Sequence, residues 1–290
     1  MLATAQDVLA PARAGRYAVP AFDCVEDLMV RTILETAESL RSPVYLMCLP
    51  PDLQSGGGAG WHYLSGLVKA VSGCYSVPVV LHLDHAVELD AIRRAVELGF
   101  TSVMIDGSML PFEENAAVTR AAVEIAHPHG VSVEAELGHV GGADLDATMQ
   151  RENVLTESDE VARFIAATDV DALAVSIGTS HGVYTSLPHL NIERLRELNR
   201  ASSVPLVMHG GSGTPDDQIR EAVRHGICKL NIYADCRIAM CRGLARAAAS
   251  QLREDPLPHQ LFAPIRESLA AVVRDKIELL GSAGAAGGRP

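Results

Sequence analysis

Aromatic side chains are scarce in this chain: Phe, Tyr and Trp make up 4% of its 290 residues, with one tryptophan among them. No apolar run approaches the ~20 residues that a helix needs to cross a bilayer, so no membrane association is expected. The six cysteines, at 24, 48, 74, 228, 236 and 241, form no CxxC pair. That spacing fits neither a thiolate zinc site nor a disulfide-stapled scaffold, and the expectation is reduced, mostly buried thiols. Basic residues are outnumbered, 24 Lys and Arg against 36 Asp and Glu, and a formal charge of -12 repels nucleic acid and anionic lipid. From Met1 to Ala14 there is no basic stretch followed by an apolar core and a small-residue cleavage site, which leads to the expectation of a cytoplasmic protein. No repeat, charge block or linker divides the chain. One domain is expected over 1–280, with the Gly- and Ala-rich 281–290 as a flexible, frayed tail.

What the chain does have is a βα rhythm. Eight short aliphatic runs, Ala18–Asp23, Pro43–Leu49, Pro78–His85, Thr101–Asp106, Val131–Leu137, Ala172–Ile177, Pro205–His209 and Cys228–Tyr233, are mostly too apolar for a sheet with one wet face. Between them, segments such as Glu26–Arg41, Leu89–Leu98, Asn115–Ala126, Ser158–Ala167, Ile192–Arg200 and Asp216–Arg224 repeat apolar residues at three and four, as helices do. Before the last of these, Thr214 offers a capping hydroxyl and Pro215 a first-turn proline. Eight strands alternating with helices predict an α/β fold, a single (β/α)8 TIM barrel. Two connections break the rhythm: 50–60, with three consecutive glycines, reads as an exposed tip, and 138–153 as a long mobile loop with a functional part.

In such barrels the chemistry gathers where the strands end. Seven of the runs end in polar or glycine-bearing groups, so seven strands aim at one mouth. His85, His181 and His209 lie at three of those ends, and three imidazoles with one open position form a catalytic zinc shell. His82, two residues before Asp84 and on its face of the strand, is a rival ligand. The remaining histidines, among them His62, His127, His129, His189 and His225, fall on helices or loops and read as solvent-facing. Asp84, Asp106, Glu134 and Glu136 are more acids than one ion needs; they divide among orienting the histidines, a second metal position and proton transfer. The loops 209–213 and 231–235 follow strands seven and eight, where barrels bind phosphate through exposed amides and a helix N-terminus.

Five ordered stretches, Leu81-His82-Leu83-Asp84-His85, Met104-Ile105-Asp106-Gly107-Ser108, Val133-Glu134-Ala135-Glu136-Leu137-Gly138, Ile177-Gly178-Thr179-Ser180-His181-Gly182 and His209-Gly210-Gly211-Ser212, resemble the class II fructose-bisphosphate and tagatose-bisphosphate aldolases from about Val19 to Ser282. The resemblance implies one Zn2+ per subunit on His85, His181 and His209, with Asp84 as proton donor to the aldehyde oxygen in condensation. It implies that Gly182, Gly210, Gly211, Ser212, Asn231, Ile232, Tyr233 and Ala234 hold the dihydroxyacetone phosphate half, with a monovalent cation such as Na+ or K+ near the phosphate. Asp106 and Glu136, with Glu134 beside them, line an alternate metal position or orient the ligands, and a homodimer or homotetramer is expected. The implied reaction is reversible cleavage of a ketose phosphate or bisphosphate through a zinc-stabilised enediolate, a role that zinc fills without a lysine Schiff base.

The chain departs from the family pattern near the substrate. Asp144 takes the place of the loop glutamate that acts as mobile base, one methylene shorter. Asp23 puts a carboxylate where the family's asparagine touches substrate, and Tyr233-Ala234 replaces an Asp-Thr pair and loses a hydroxyl. These changes leave a different ketose phosphate open. Two readings of other classes also stand: a barrel metallohydrolase, which would be expected to carry an early HxH pair that this chain lacks, and a non-catalytic sugar-phosphate binder.

Overall fold

In a computed structural model, residues 1–55, 59–143, 150–151, 153–182, 187–250 and 254–287 are described. The eight expected runs form β1 (Val19–Asp23), β2 (Val44–Cys48), β3 (Val79–Ala86), β4 (Ser102–Ile105), β5 (Ser132–Leu137), β8 (Ala172–Val175), β9 (Leu206–Met208) and β10 (Ile227–Ile232). They pair in parallel and close into one barrel, β1 meeting β10 on one side and β2 on the other. A two-stranded antiparallel ribbon, β6 (Gly142–Ala143) and β7 (Gln150–Arg151), stands outside the barrel after β5. The chain is thus a (β/α)8 barrel with helices between its strands.

The alternation of side chains along each strand builds two apolar layers. Outward residues such as Phe22, Leu46, Leu81, Val103, Val133, Leu173, Leu206 and Leu230 pack under the helical jacket, fully or almost fully buried. Burying each such leucine contributes ~1.5–3 kcal/mol, which makes this layer the main source of stability. Inward residues Val19, Ala21, Tyr45, Met47, Val80, Ala172, Ala174 and Val207 pack against Ala5, Val8, Leu9 and Ala12. Those four lie on a first helix, Ala5–Gly15, that closes the end of the barrel where the strands begin. Its start is fixed by a reciprocal cap, the Thr4 amide donating to Asp7 at 2.8 Å and the Asp7 amide to the Thr4 hydroxyl at 3.3 Å. With that end sealed, only the ends of the strands are left to form a site.

Three expectations are corrected. Residues 281–287 do not fray: Gly284 and Ala286 donate their amides to the carbonyls of Leu40 and Arg41, and the Ser282 hydroxyl, fully buried, meets that of Ser42 at 2.9 Å. The small residues lie flat against the end of the helix Asp27–Leu40, whose last carbonyls have no partner within the helix. The connection after β2 is not a bare tip, because Pro50–Ser55 is helical and turns Pro50, Pro51 and Gln54 toward the mouth. Thr214 does not cap the helix Asp216–Arg224; its hydroxyl donates to the Gly210 carbonyl at 2.9 Å and tightens the loop after β9 instead.

Candidate active site and metal centre

The strand ends open into a cavity of about 920 Å³ lined by Asp23, Asp84, His85, Asp106, Glu136 and His181, with Gly210, Gly211 and Ser212 opposite. How Asp84 and His85, neighbours in a strand, both reach it is a matter of backbone. The pairing of β3 with β4 shifts register between Leu83 and Ala86, and His85 has φ 45, a left-handed conformation rare outside glycine. The bulge breaks alternation at the point where two consecutive functional side chains are needed.

His85, His181 and His209 converge: their ring centroids are 4.6 to 5.8 Å apart, and one nitrogen of each lies within 4.8 Å of the others. Two of the three rings are held from behind. His85 Nδ1 meets Asp106 at 2.9 Å, and His209 Nε2 meets Glu134 at 3.0 Å. The nitrogens left over, His85 Nε2 and His209 Nδ1, are buried and make no hydrogen bond of good geometry, Glu136 Oε2 lying 3.3 Å from the latter. Buried polar atoms normally have a partner. Two orphaned imidazole nitrogens facing a third histidine are what a metal ion would satisfy, and the donor set of three neutral nitrogens suits a borderline-soft cation such as zinc. His85, Asp106 and Glu136 form a second such group, matching the alternate position expected for those acids.

The electrostatics follow from the packing. Burial opposes charge on His85, yet the carboxylates of Asp84 and Asp106 push its pKa up to about 10. Burial, with His85 and His209 close by, drives His181 well below the ordinary histidine value. Glu134 is opposed by burial but held down to about 2, chiefly by Lys229 and the hydrogen bond to His209. Asp84 is likewise opposed by burial and kept well below the usual carboxylate range by His85. Asp23 goes the other way: burial first, then Asp84 and Asp52, raise it well above that range.

A model of the family described as fructose-bisphosphate aldolase class-II matches residues 3–285. Among solved structures the chain is similar to the YdjI aldolase from Escherichia coli K12, at 33% identity over 99% of this chain and 100% of that one, with a TM-score of 0.87. A putative fructose-1,6-bisphosphate aldolase from Coccidioides immitis is 28% identical over 97% of each chain, TM-score 0.84. A fructose-bisphosphate aldolase from Campylobacter jejuni, 24% identical over 97% of this chain and 96% of that one, shares the fold with a TM-score of 0.81. The chain belongs to the class II fructose-bisphosphate aldolase family.

The aldolase is therefore a carbon–carbon lyase, and neither the metallohydrolase nor the non-catalytic binder describes it. Of the residues expected at its site, Asp23, Asp84, Asp106, Glu136, Gly182, Asn231, Tyr233 and Ala234 join His85, His181 and the Gly210–Ser212 loop around the cavity. His209 and Glu134 lie just beneath its floor, fully or nearly fully buried. The Ile232 side chain belongs to the layer under the helices, because it alternates with Asn231, which faces inward, and only its backbone is turned to the phosphate loops. The amides of Tyr233 and Asp235 both donate to the Ser212 hydroxyl at 3.2 Å, tying together the two loops expected to hold phosphate. Asp144 lies outside the described residues. His82 is not a ligand of the three-histidine group; it points into the barrel, Nδ1 meeting the Ser102 hydroxyl at 2.8 Å, and is fully buried. Nor do all the other histidines face solvent freely, since His127 meets Asp171 at 2.8 Å.

Four contributors escaped the sequence reading. His139, nearly buried at the cavity wall, meets the Ser108 hydroxyl at 2.9 Å and leaves Nε2 without a partner. Its signal was its position directly after β5. Lys229, in the middle of β10, is fully buried and bonds Glu134 at 2.8 and 3.1 Å. Its signal was a charge inside an apolar run. At the outer rim, Arg94 stands 4.9 Å over the Trp61 ring and Arg237 5.1 Å over that of Tyr233, whose hydroxyl donates to Asp52 at 2.8 Å.

Proposed function

We propose that this aldolase uses zinc to cleave a ketose 1-phosphate or 1,6-bisphosphate reversibly into dihydroxyacetone phosphate and an aldehyde. The observation that carries the reading is the pair of orphaned nitrogens on His85 and His209, beside His181, at the floor of the cavity. Zinc held there would act as a Lewis acid, stabilising the negative charge that develops on the ketose oxygens as the carbon–carbon bond breaks. Asp84, whose two oxygens each accept from Asn231 Nδ2 at 3.2 Å, takes the proton of the C4 hydroxyl in cleavage and returns it in condensation. Asp144 is the base that moves the proton at C3 in this reading.

The phosphate of the dihydroxyacetone half lies against Gly182, the Gly210–Ser212 loop and the turn 231–234, where the helix Ala234–Ala249 directs its positive end at the cavity. Arg94 and Arg237, farther out in the same cavity, supply the charge that a second anionic group on the aldehyde half would require. Asp23 narrows the choice of substrate, because a buried carboxyl held toward its protonated form, with one oxygen unpartnered, lines the cavity where the family's asparagine amide would stand. A monovalent cation at the phosphate and assembly into a homodimer or homotetramer complete the proposal; potassium dependence of the rate and light scattering measure them.

The test is a screen of zinc-loaded protein against ketose 1-phosphates and 1,6-bisphosphates, with exchange of the C3 proton of dihydroxyacetone phosphate followed in parallel. Zinc-dependent cleavage and exchange are expected. Zinc-loaded protein that catalyses neither on any member of the series would overturn the assignment.

A further inference from the structure

Lys229 occupies a place where a charge needs a reason. It is fully buried at the centre of β10 and points into the barrel, away from the cavity above. A buried ammonium is tolerated only with a partner, and Glu134 from β5, across the barrel, provides it through both oxygens at 2.8 and 3.1 Å. On another side the Tyr45 ring lies 5.2 Å from the ammonium. Nearby, His82, Asp84 and Glu134 bring one ligand atom each to within 4.8 Å of one another, the kind of group that gathers around a cation. Here the lysine ammonium bonded to Glu134 is the cation.

Stability does not explain this arrangement. Replacing a buried ion pair by neutral groups of the same volume is often neutral or stabilising, so an unbranched apolar side chain at 229 and a neutral partner at 134 would fill the barrel as well. What the pair does fix is the direction of one carboxylate. With both oxygens of Glu134 clamped by Lys229, its Oε1 is held 3.0 Å from His209 Nε2. A ring that donates Nε2–H to that oxygen keeps its Nδ1 lone pair, and Nδ1, 3.3 Å from Glu136 Oε2 but in no hydrogen bond of good geometry, is the nitrogen turned toward His85 and His181.

We infer that Lys229 is a positioning residue of the metal centre, setting the tautomer and orientation of His209 through Glu134. The inference rests on the three-histidine zinc site proposed above and adds to it a contact two bonds of interaction removed from the ion. It places one polar chain, Lys229–Glu134–His209, through the middle of the barrel, so that β10 and β5 both bear on a ligand carried by β9.

The experiment is a double-mutant cycle read by zinc affinity. Apoproteins of the wild type, Lys229→Met, Glu134→Gln and the double variant are checked for folding by circular dichroism, and zinc is titrated in competition with a chromophoric chelator. Loss of a partner that orients a metal-bound histidine lowers metal affinity about 10–100-fold, and that loss is expected for Lys229→Met and for Glu134→Gln. Because Lys229 acts through Glu134, adding Lys229→Met to Glu134→Gln should change the affinity less than about threefold. Wild-type affinity in folded Lys229→Met, or an equal further loss in the Glu134→Gln background, overturns the inference. Should Lys229→Met alone fail to fold, a second neutral variant, Lys229→Leu, is titrated in its place, and wild-type zinc affinity in that folded variant overturns the inference. A wild type that takes up no zinc removes the parent reading instead, so the two failures are distinct.

Discussion

Replacing Asp84 by alanine should separate carbon–carbon cleavage from every other property of the site. Asp84 is almost wholly buried at the end of β3, and its Oδ2 lies 4.0 Å from His85 Nε2, too far to hold that ring; Asp106, at 2.9 Å from Nδ1, does so. The three histidines therefore stay in place when the carboxylate is removed. The structural loss is the acceptor for Asn231 Nδ2, and an orphaned donor costs about 1–3 kcal/mol, less here because the cavity admits water. The catalytic loss is larger: removal of a general acid–base lowers the rate by about 10²–10⁴-fold, roughly 3–5 kcal/mol of activation free energy. Zinc content by plasma mass spectrometry, circular dichroism and steady-state cleavage measure the three effects. Exchange of the C3 proton of dihydroxyacetone phosphate, which needs a different base, should persist within about tenfold of wild type. Near-normal cleavage by the variant would remove Asp84 from its role. Zinc loss in parallel with cleavage would show that it belongs to the metal's hold instead.

Three further outcomes are expected. Gly142 has φ 120, and a Cβ there would lie 2.4 Å from the His181 carbonyl oxygen, so Gly142→Ala should displace His181, weaken zinc binding and cost ~1–3 kcal/mol in melting experiments; wild-type zinc affinity would contradict this. Asp23→Asn replaces a carboxyl that donates only while protonated by an amide that donates at every pH, and should lower the KM for fructose 1,6-bisphosphate about 2- to 10-fold at a pH where the carboxyl ionises, the worth of one hydrogen bond, whereas a raised KM would show that the carboxyl favours that substrate. In chelator-stripped protein the pKa of His85, raised to about 10, lies above its unfolded value of about 6.5. Its contribution is then complete below about pH 6.5 and lost as pH rises toward about 10, so the melting-temperature gap between wild type and His85→Gln should shrink across that window. A gap that widens would refute the sign.

Sequence pattern resolves this fold where a single physical rule dominates. Each barrel strand is buried on both faces, so Leu81 and Val80 must both be apolar, and the run announces itself. The histidines of the cavity were legible for the same reason: His85, His181 and His209 interrupt or follow such runs, and a polar group there must face the open end. Lys229 and His82 broke that rule from inside the barrel. Both are fully buried in mid-strand, and nothing in their own strands shows that Glu134 and Ser102 stand opposite. His139 was hidden because its partner Ser108 comes from another strand end. The tail fails for a related reason: Gly284 and Ala286 look unconstrained until the bare carbonyls of Leu40 and Arg41 are placed beside them. Local rules reveal elements; partners across the barrel appear only after it closes.

The central claim is that three imidazoles from β3 and from the ends of β8 and β9 hold one ion. The zinc K-edge absorption spectrum of the zinc-loaded protein tests it directly. One zinc per chain with three imidazole nitrogens at ~2.0–2.1 Å is predicted, the remaining position filled by oxygen. A first shell containing sulfur or fewer than three imidazoles, or the same spectrum from a variant without His85, His181 and His209, would contradict it.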